Sequence, residues 1–308
     1  MRPGREHIAG YLFGLGAGAV WGTTGPLSTA LYAQGTALTG IGFWRVLLGT
    51  LAFGVWGLFQ RDLFRMDRPG LLIVGGLGGA LVALFEVAYQ FGIAGAGVAG
   101  AAALLYLAPV AVAVLAKPIL GERLTALRLT LAFVVMIGAW LTVRGGHPGL
   151  GGVPVASIVA GVTGGLLAAA SYAGTTILAR WAVPRYGTFK VLFWEIAGGT
   201  VLLGIVLPLA GHAPFPPSTG PGWLFALALA AGPVILANVF FFNAVKRIDA
   251  APTAIAANIE PAVGALLALL LFHQWLEPFG WLGLALVILG VSAGYWREAE
   301  EDRGAVAG

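Results

Sequence analysis

Four charged side chains stand within long apolar stretches of the sequence: Arg45, Glu86, Glu195 and Glu260. At the middle of a bilayer a charge costs about 2.5–3.5 kcal/mol on insertion scales, so each needs a partner or an aqueous cavity. Glu260 precedes Pro261, whose ring removes a backbone hydrogen bond and frees a carbonyl nearby. A carboxylate at such a break can receive an ammonium group or bind a proton. Asn258, Tyr106 and Trp21 fall at similar depth, and Tyr172 lies in the corresponding region of the second half. Together they offer an amphipathic solute a carboxylate, an amide, phenols and an indole. The opposing reading is structural: an acid held beside a proline break, and aromatics that only pack.

Such residues need long apolar elements to position them. Of 308 residues, 59% are apolar and 10% charged, against about 25% charged in soluble domains. This composition predicts an all-α membrane protein. Disorder is excluded by the apolar content, and the absence of Cys excludes a disulfide scaffold, thiolate metal sites and a Cys nucleophile. Glycine is frequent, with 48 residues and no Gly-X-Y period. Gly14, Gly18 and Gly22, like Gly75 and Gly79, have the four-residue spacing that lets helix backbones approach.

Apolar runs long enough to span predict ten transmembrane helices. The first half holds Ile8 to Leu31, Ala37 to Phe59, Gly70 to Gly92, Gly97 to Ala116 and Ala126 to Val143. The second holds Val155 to Ala182, Val191 to Leu209, Gly222 to Ala244, Ala254 to Phe272 and Gly280 to Trp296. With both termini cytoplasmic, 15 of the 17 Lys and Arg fall in inside segments, Arg144 falls outside and Arg45 lies within a span. That asymmetry is the positive-inside signature of an inner-membrane, multi-pass protein, and it explains the basic balance without nucleic acid. Arg2 and Arg5 resemble a signal-peptide n-region, but the apolar run after them is too long for one, so the first span is expected to stay. Trp56, Trp181, Trp223, Trp275, Trp281 and Trp296 sit near span ends, as an interfacial belt would.

The halves align on each other. Phe43-Trp44-Arg45 matches Phe193-Trp194-Glu195 at an offset of 150, and Leu107-Ala108-Pro109 matches Ile259-Glu260-Pro261 at 152. At the second offset Glu86 falls on Asn238 and Tyr106 on Asn258. Five spans per repeat is an odd number, so the second repeat enters from the opposite side, the architecture of secondary transporters with a site between the halves. The repeats are expected over residues 1–147 and 148–308, the latter ending in a short cytoplasmic tail at Glu298 to Asp302 that is expected to be disordered. Depth at about 1.5 Å per residue puts Arg45 and Glu86 at one level in the outer half. Glu195 and Asn238 are their inverted counterparts on the inner side. The expectation is a pair of gates flanking a central site, against the plainer reading that these groups only fix helix packing.

Two five-helix halves, the aromatic-Arg of span 2, Pro109 followed by Gly121-Glu122-Arg123-Leu124-Thr125, and Glu260-Pro261 resemble the drug/metabolite transporter superfamily of EamA type. The resemblance implies alternating access and export of small metabolites, amino acids prominent among them. One departure is His273-Gln274, where the second half of such proteins usually repeats Gly-Glu. An exporter of drugs or organic cations is the alternative within transport, because three intramembrane acids against one Arg suit a positive solute.

Other patterns lead nowhere chemical. Gly95-Ala96-Gly97-Val98-Ala99-Gly100 matches a dinucleotide fingerprint but follows no strand. Gly290-Val291-Ser292-Ala293-Gly294 matches a hydrolase elbow inside a span, while His7, His147, His212 and His273 all lie in loops or at span ends. Neither an enzyme, a metal site nor a cofactor is expected, with proton coupling left open. The expected partners are a small-molecule substrate and membrane lipid. A monomer and a homodimer both remain open.

Overall fold

The computed structural model describes residues 3–122, 124–144, 155–272, 275 and 277–307. Among them every regular element is helical. In chain order these are α1 (Pro3–Trp21), α2 (Thr24–Ala33), α3 (Leu38–Phe59), a 3-10 helix (Arg61–Phe64) and α4 (Arg68–Gly70), which runs through a π-helical stretch (Leu71–Gly78) into α5 (Gly79–Leu105). Then come α6 (Ala108–Leu120), α7 (Ala126–Arg144), α8 (Val155–Tyr186), α9 (Thr188–Leu209) and α10 (Gly220–Leu229). A second π-helical stretch (Ala230–Leu236) leads into α11 (Ala237–Arg247), followed by α12 (Ala250–Ala257), α13 (Glu260–Phe272) and α14 (Pro278–Ala307). Among the described residues six helical stretches are long and apolar enough to cross a membrane, and Ala108–Leu120, Ala126–Leu141 and Pro278–Gly294 are shorter apolar helices.

The surface inverts the pattern of a soluble protein. Leu209 is 83% exposed and Phe59 81%, whereas Glu195 is 1% exposed and Glu86 6%. Apolar groups face outward where lipid would lie, and acids face inward.

Three departures from the sequence reading have local causes. Span 1 is not one helix: it breaks at Gly22-Thr23, where the Thr23 hydroxyl donates to the Val20 carbonyl at 2.7 Å and Pro26 occupies the first turn of α2. The boundary expected between Gly92 and Gly97 is absent, and α5 passes through it. That segment carries glycine and alanine with no proline and no capping residue, so nothing there stops the helical ladder. The C-terminal tail expected to be disordered continues α14 to Ala307; Arg297, Glu298, Ala299, Glu300 and Glu301 are good helix formers. The linker around Pro148 and Pro154, together with His273-Gln274, lies outside the described residues.

Packing couples the halves reciprocally. The most extensive pairings are α5 with α8, α7 with α14 and α1 with α11, followed by α9 with α5 and with α3. Exchange of the two halves turns the α1–α11 pairing into the one between the start of α5 and α8, and leaves α3–α9 and α7–α14 unchanged. Individual bonds repeat this. Trp44 Nε1 donates to Pro214 O at 3.0 Å, and its counterpart Trp194 Nε1 donates to Leu63 O at 3.2 Å. A Cβ on Gly49 would press on Val234, and one on Gly199 on Val82, the equivalent valine. Thr50 and Thr200, 150 residues apart, meet hydroxyl to hydroxyl at 2.9 Å, where a two-fold axis relating the repeats would pass.

Candidate functional site

Backbone breaks create the centre of the molecule. α5 ends at Leu105 and α6 begins at Ala108, so Tyr106-Leu107 interrupts the helix; 152 residues later Asn258-Ile259 separates α12 from α13. Pro109 and Pro261 each stand in the first turn of the following helix, where a missing N–H is harmless. The third break, Gly22-Thr23, lies on the second: a Cβ at Gly22 would meet the Glu260 carbonyl, so only glycine lets these interruptions approach.

Glu260 opens α13, and no hydrogen bond holds its carboxylate among the described residues. Arg45, Tyr89, Tyr106 and Tyr172 are close enough to interact with it electrostatically. Asn258 is buried, and its Nδ2 has no hydrogen-bond partner. Trp21 forms the wall with Tyr172 at a centroid distance of 5.9 Å and with Phe241 at 5.2 Å, its indole N–H anchored on Pro233 O at 3.0 Å. Trp21, Tyr106, Tyr172, Asn258 and Glu260 are thus brought into one region. Phe241 and Tyr89 belong to it as well, and the sequence signal for them was that they align on each other at the offset of 152.

Of the two charge constellations anticipated at either side, one forms. Arg45 donates to Glu86 Oε1 from Nε at 3.1 Å and also from Nη2, the two side chains being 14% and 7% exposed. Glu195 and Asn238 do not bond to each other. Asn238 Nδ2 donates to the carbonyls of Pro233 and Val234, at 3.2 and 2.9 Å. These are the carbonyls five and four residues back on its own helix, within the π-helical stretch Ala230–Leu236, so the amide is satisfied locally. Glu195 Oε1 is left without a partner.

A further ionic cluster lies at the face carrying the basic loops. Arg180 of α8 reaches Asp249 Oδ1 at 2.9 Å and Glu122 Oε1 at 3.4 Å, and Arg128 of α7 reaches Asp249 Oδ2 at 2.8 Å. Both Glu122 oxygens accept the Ala250 N–H, at 2.9 and 3.2 Å, capping α12 from the other repeat. Burial raises the Glu122 carboxyl above its ordinary range; the Ala250 N–H and the two arginines offset this in part, and Asp249 adds to it. Leu120, Gly121, Glu122, Arg180 and Asp249 line a cleft of about 440 Å³ there. In the sequence Arg128 and Arg180 read as orientation signals, and Glu122 stood in the motif that carries the family resemblance. The acid at Glu122 and the acid just ahead of α12, on loops of the same face, were the available clue.

A helical bundle with two cross-bonded repeats, broken helices at its centre and acids facing inward defines a membrane transport protein. The EamA-like transporter family model matches residues 8–144 and again 159–293, one match per repeat, and the chain belongs to that family. A transporter of Archaeoglobus fulgidus is 28% identical over 275 residues, covering 89% of this chain and 92% of the relative. The pseudopaline exporter CntI of Pseudomonas aeruginosa is 29% identical over 220 residues, covering 70% and 72%. A solved structure shares the fold with a TM-score of 0.75 at 20% identity, covering 92% of this chain and 96% of its own.

Proposed function

We propose that this transporter exports small zwitterionic metabolites, amino acids foremost, across the inner membrane by alternating access, on ten spans with both termini cytoplasmic. The observation that carries the reading is a carboxylate, Glu260, at the start of α13 within electrostatic reach of Arg45, two residues after a buried amide, Asn258, whose Nδ2 has no partner. An ammonium group would lie against Glu260, a carboxylate toward Arg45 and the Asn258 amide, and an apolar side chain against Trp21, Tyr172 and Phe241. The helix N-termini of α6 and α13 add positive potential beside the same breaks. The reciprocal Trp44 and Trp194 bonds support an inverted relation of the repeats, which lets one site open to either face in turn.

The pseudopaline exporter among the relatives favours a second reading with the same mechanism, in which the solute is a pseudopaline-like metabolite. Counterflow in proteoliposomes separates these. Loaded unlabelled amino acid should drive uptake of the same labelled amino acid in wild type, and Glu260→Gln should abolish it while melting like wild type. No counterflow with any amino acid, joined to counterflow with pseudopaline or with quaternary ammonium compounds, would replace the amino-acid reading.

A further inference from the structure

Glu195 is the intramembrane acid that this binding scheme does not use. It occupies the position of Arg45 in the second repeat, is 1% exposed, and its Oε1 has no hydrogen-bond partner. Gly78 at the end of the first π-helical stretch lies against Glu195 and Leu178 of α8, and the buried Leu192 and Ile196 flank the acid on its own helix. The charged groups on the elements packed around α9 are committed elsewhere. Arg45 is held by Glu86, Arg180 by Glu122 and Asp249, Lys190 by Asp62, and Arg247 by Glu6. Arg185 lies over the Trp181 ring, and Arg61, Asp62, Arg65, Asp67, Arg68 and Lys246 are exposed. Tyr172 stands with Trp21 and Phe241, Tyr186 against Trp181, and the Asn238 amide bonds backbone carbonyls.

An ionised carboxylate enclosed in this way would lack both counterion and donors, a penalty of several kcal/mol, whereas the neutral acid loses only the bonds of one hydroxyl and one carbonyl. The wall opposite Glu195 is a π-helical stretch, a form that recurs at functional sites because its backbone register can shift. Glycines 75, 79, 198 and 199 bring that stretch and α9 into backbone contact, so a small separation would hydrate the acid.

We propose that Glu195 is a proton-binding site of the transport cycle, holding one proton in the conformation seen here and exchanging it with water when α9 parts from Leu71–Gly78. One proton taken up at one face and released at the other, moving inward, drives one solute outward; no bond other than the acid O–H is made or broken. The inference rests on the transport reading for its role, but the site has a readout that needs no solute.

Infrared absorption spectra of the full chain in liposomes at neutral pH should contain the C=O band of a protonated, non-hydrogen-bonded carboxylic acid. That band should be present in wild type and in Glu260→Gln and missing in Glu195→Gln. Its absence from wild type, or its survival in Glu195→Gln, overturns the proposal. In the same liposomes, a gradient of one pH unit can drive about tenfold accumulation through one coupled proton. With a labelled mixture of the twenty amino acids as probe, wild type should approach that limit, Glu195→Asp should retain part of it, and Glu195→Gln should show none. Full accumulation by Glu195→Gln overturns the coupling. Wild type that performs no counterflow counts against the transport reading alone, because the infrared band stands or falls without a solute.

Discussion

Arg45 and Glu195 hold equivalent places in two repeats that otherwise bond to each other reciprocally, yet their surroundings differ in kind. Around Arg45 the partner position carries Glu86, and the two close a doubly hydrogen-bonded ion pair. Around Glu195 the partner position carries Asn238, whose amide is taken up by the carbonyls about Pro233, and the acid stays alone. The scaffold obeys the two-fold relation while the chemistry departs from it. A repeat supplies two copies of every pocket, and substitution in one copy has left an ion pair at one position and an acid without an ionic partner at its equivalent.

The largest effect should come from breaking the paired side. Arg45→Met leaves Glu86 buried without a cation and should destabilise the protein by about 3–5 kcal/mol, whereas Arg45→Met combined with Glu86→Leu should recover most of that loss. Unfolding in detergent reads both, and a single variant as stable as wild type would remove the pair from the account. Smaller, and equal on the two sides, should be the cost of Trp44→Phe and Trp194→Phe. Each deletes one equivalent hydrogen bond, about 0.5–1.5 kcal/mol, and a large difference between them would sharpen the asymmetry into the scaffold itself.

The smallest effect is a pH dependence at the basic-loop face. Burial holds Glu122 above the ordinary carboxylate range in the closed cluster. The closed arrangement therefore binds the proton more tightly than a hydrated one, and the stabilisation from that proton is complete below the ordinary range and lost as pH rises through the raised value. Opening of that face should increase with pH across this window and become flat in Glu122→Gln. Labelling of a Cys placed at Gly121, in a chain that has no Cys of its own, measures it.

Much of this was legible in the residues. Charge excluded from long runs marked the membrane helices, the offsets of 150 and 152 marked the repeat, and counting depth from opposite ends brought Arg45 level with Glu86. What escaped depends on competition for backbone groups. Asn238 was aligned with Glu86, but the π-helical carbonyls that capture its amide cannot be read from residue types. The break at Gly22-Thr23 is set by a hydroxyl returning to Val20 and by contact with Glu260, which no run of apolar residues announces. The cluster of Glu122, Arg128, Arg180 and Asp249 joins three separated parts of the chain, so Arg128 and Arg180 looked like orientation signals until the fold brought them to the two acids.

On the proposed function one site between the repeats opens to either face in turn, and the Arg45–Glu86 pair and the Glu122 cluster are its proposed closures. A single Cys at Asn258, labelled with a membrane-impermeant thiol reagent from each side of oriented vesicles, tests it directly. Glu122→Gln with Asp249→Asn should raise labelling from the basic-loop side and lower it from the other, and Glu86→Gln should do the reverse. Labelling from one side only, unchanged by either set of substitutions, would contradict alternating access through this centre.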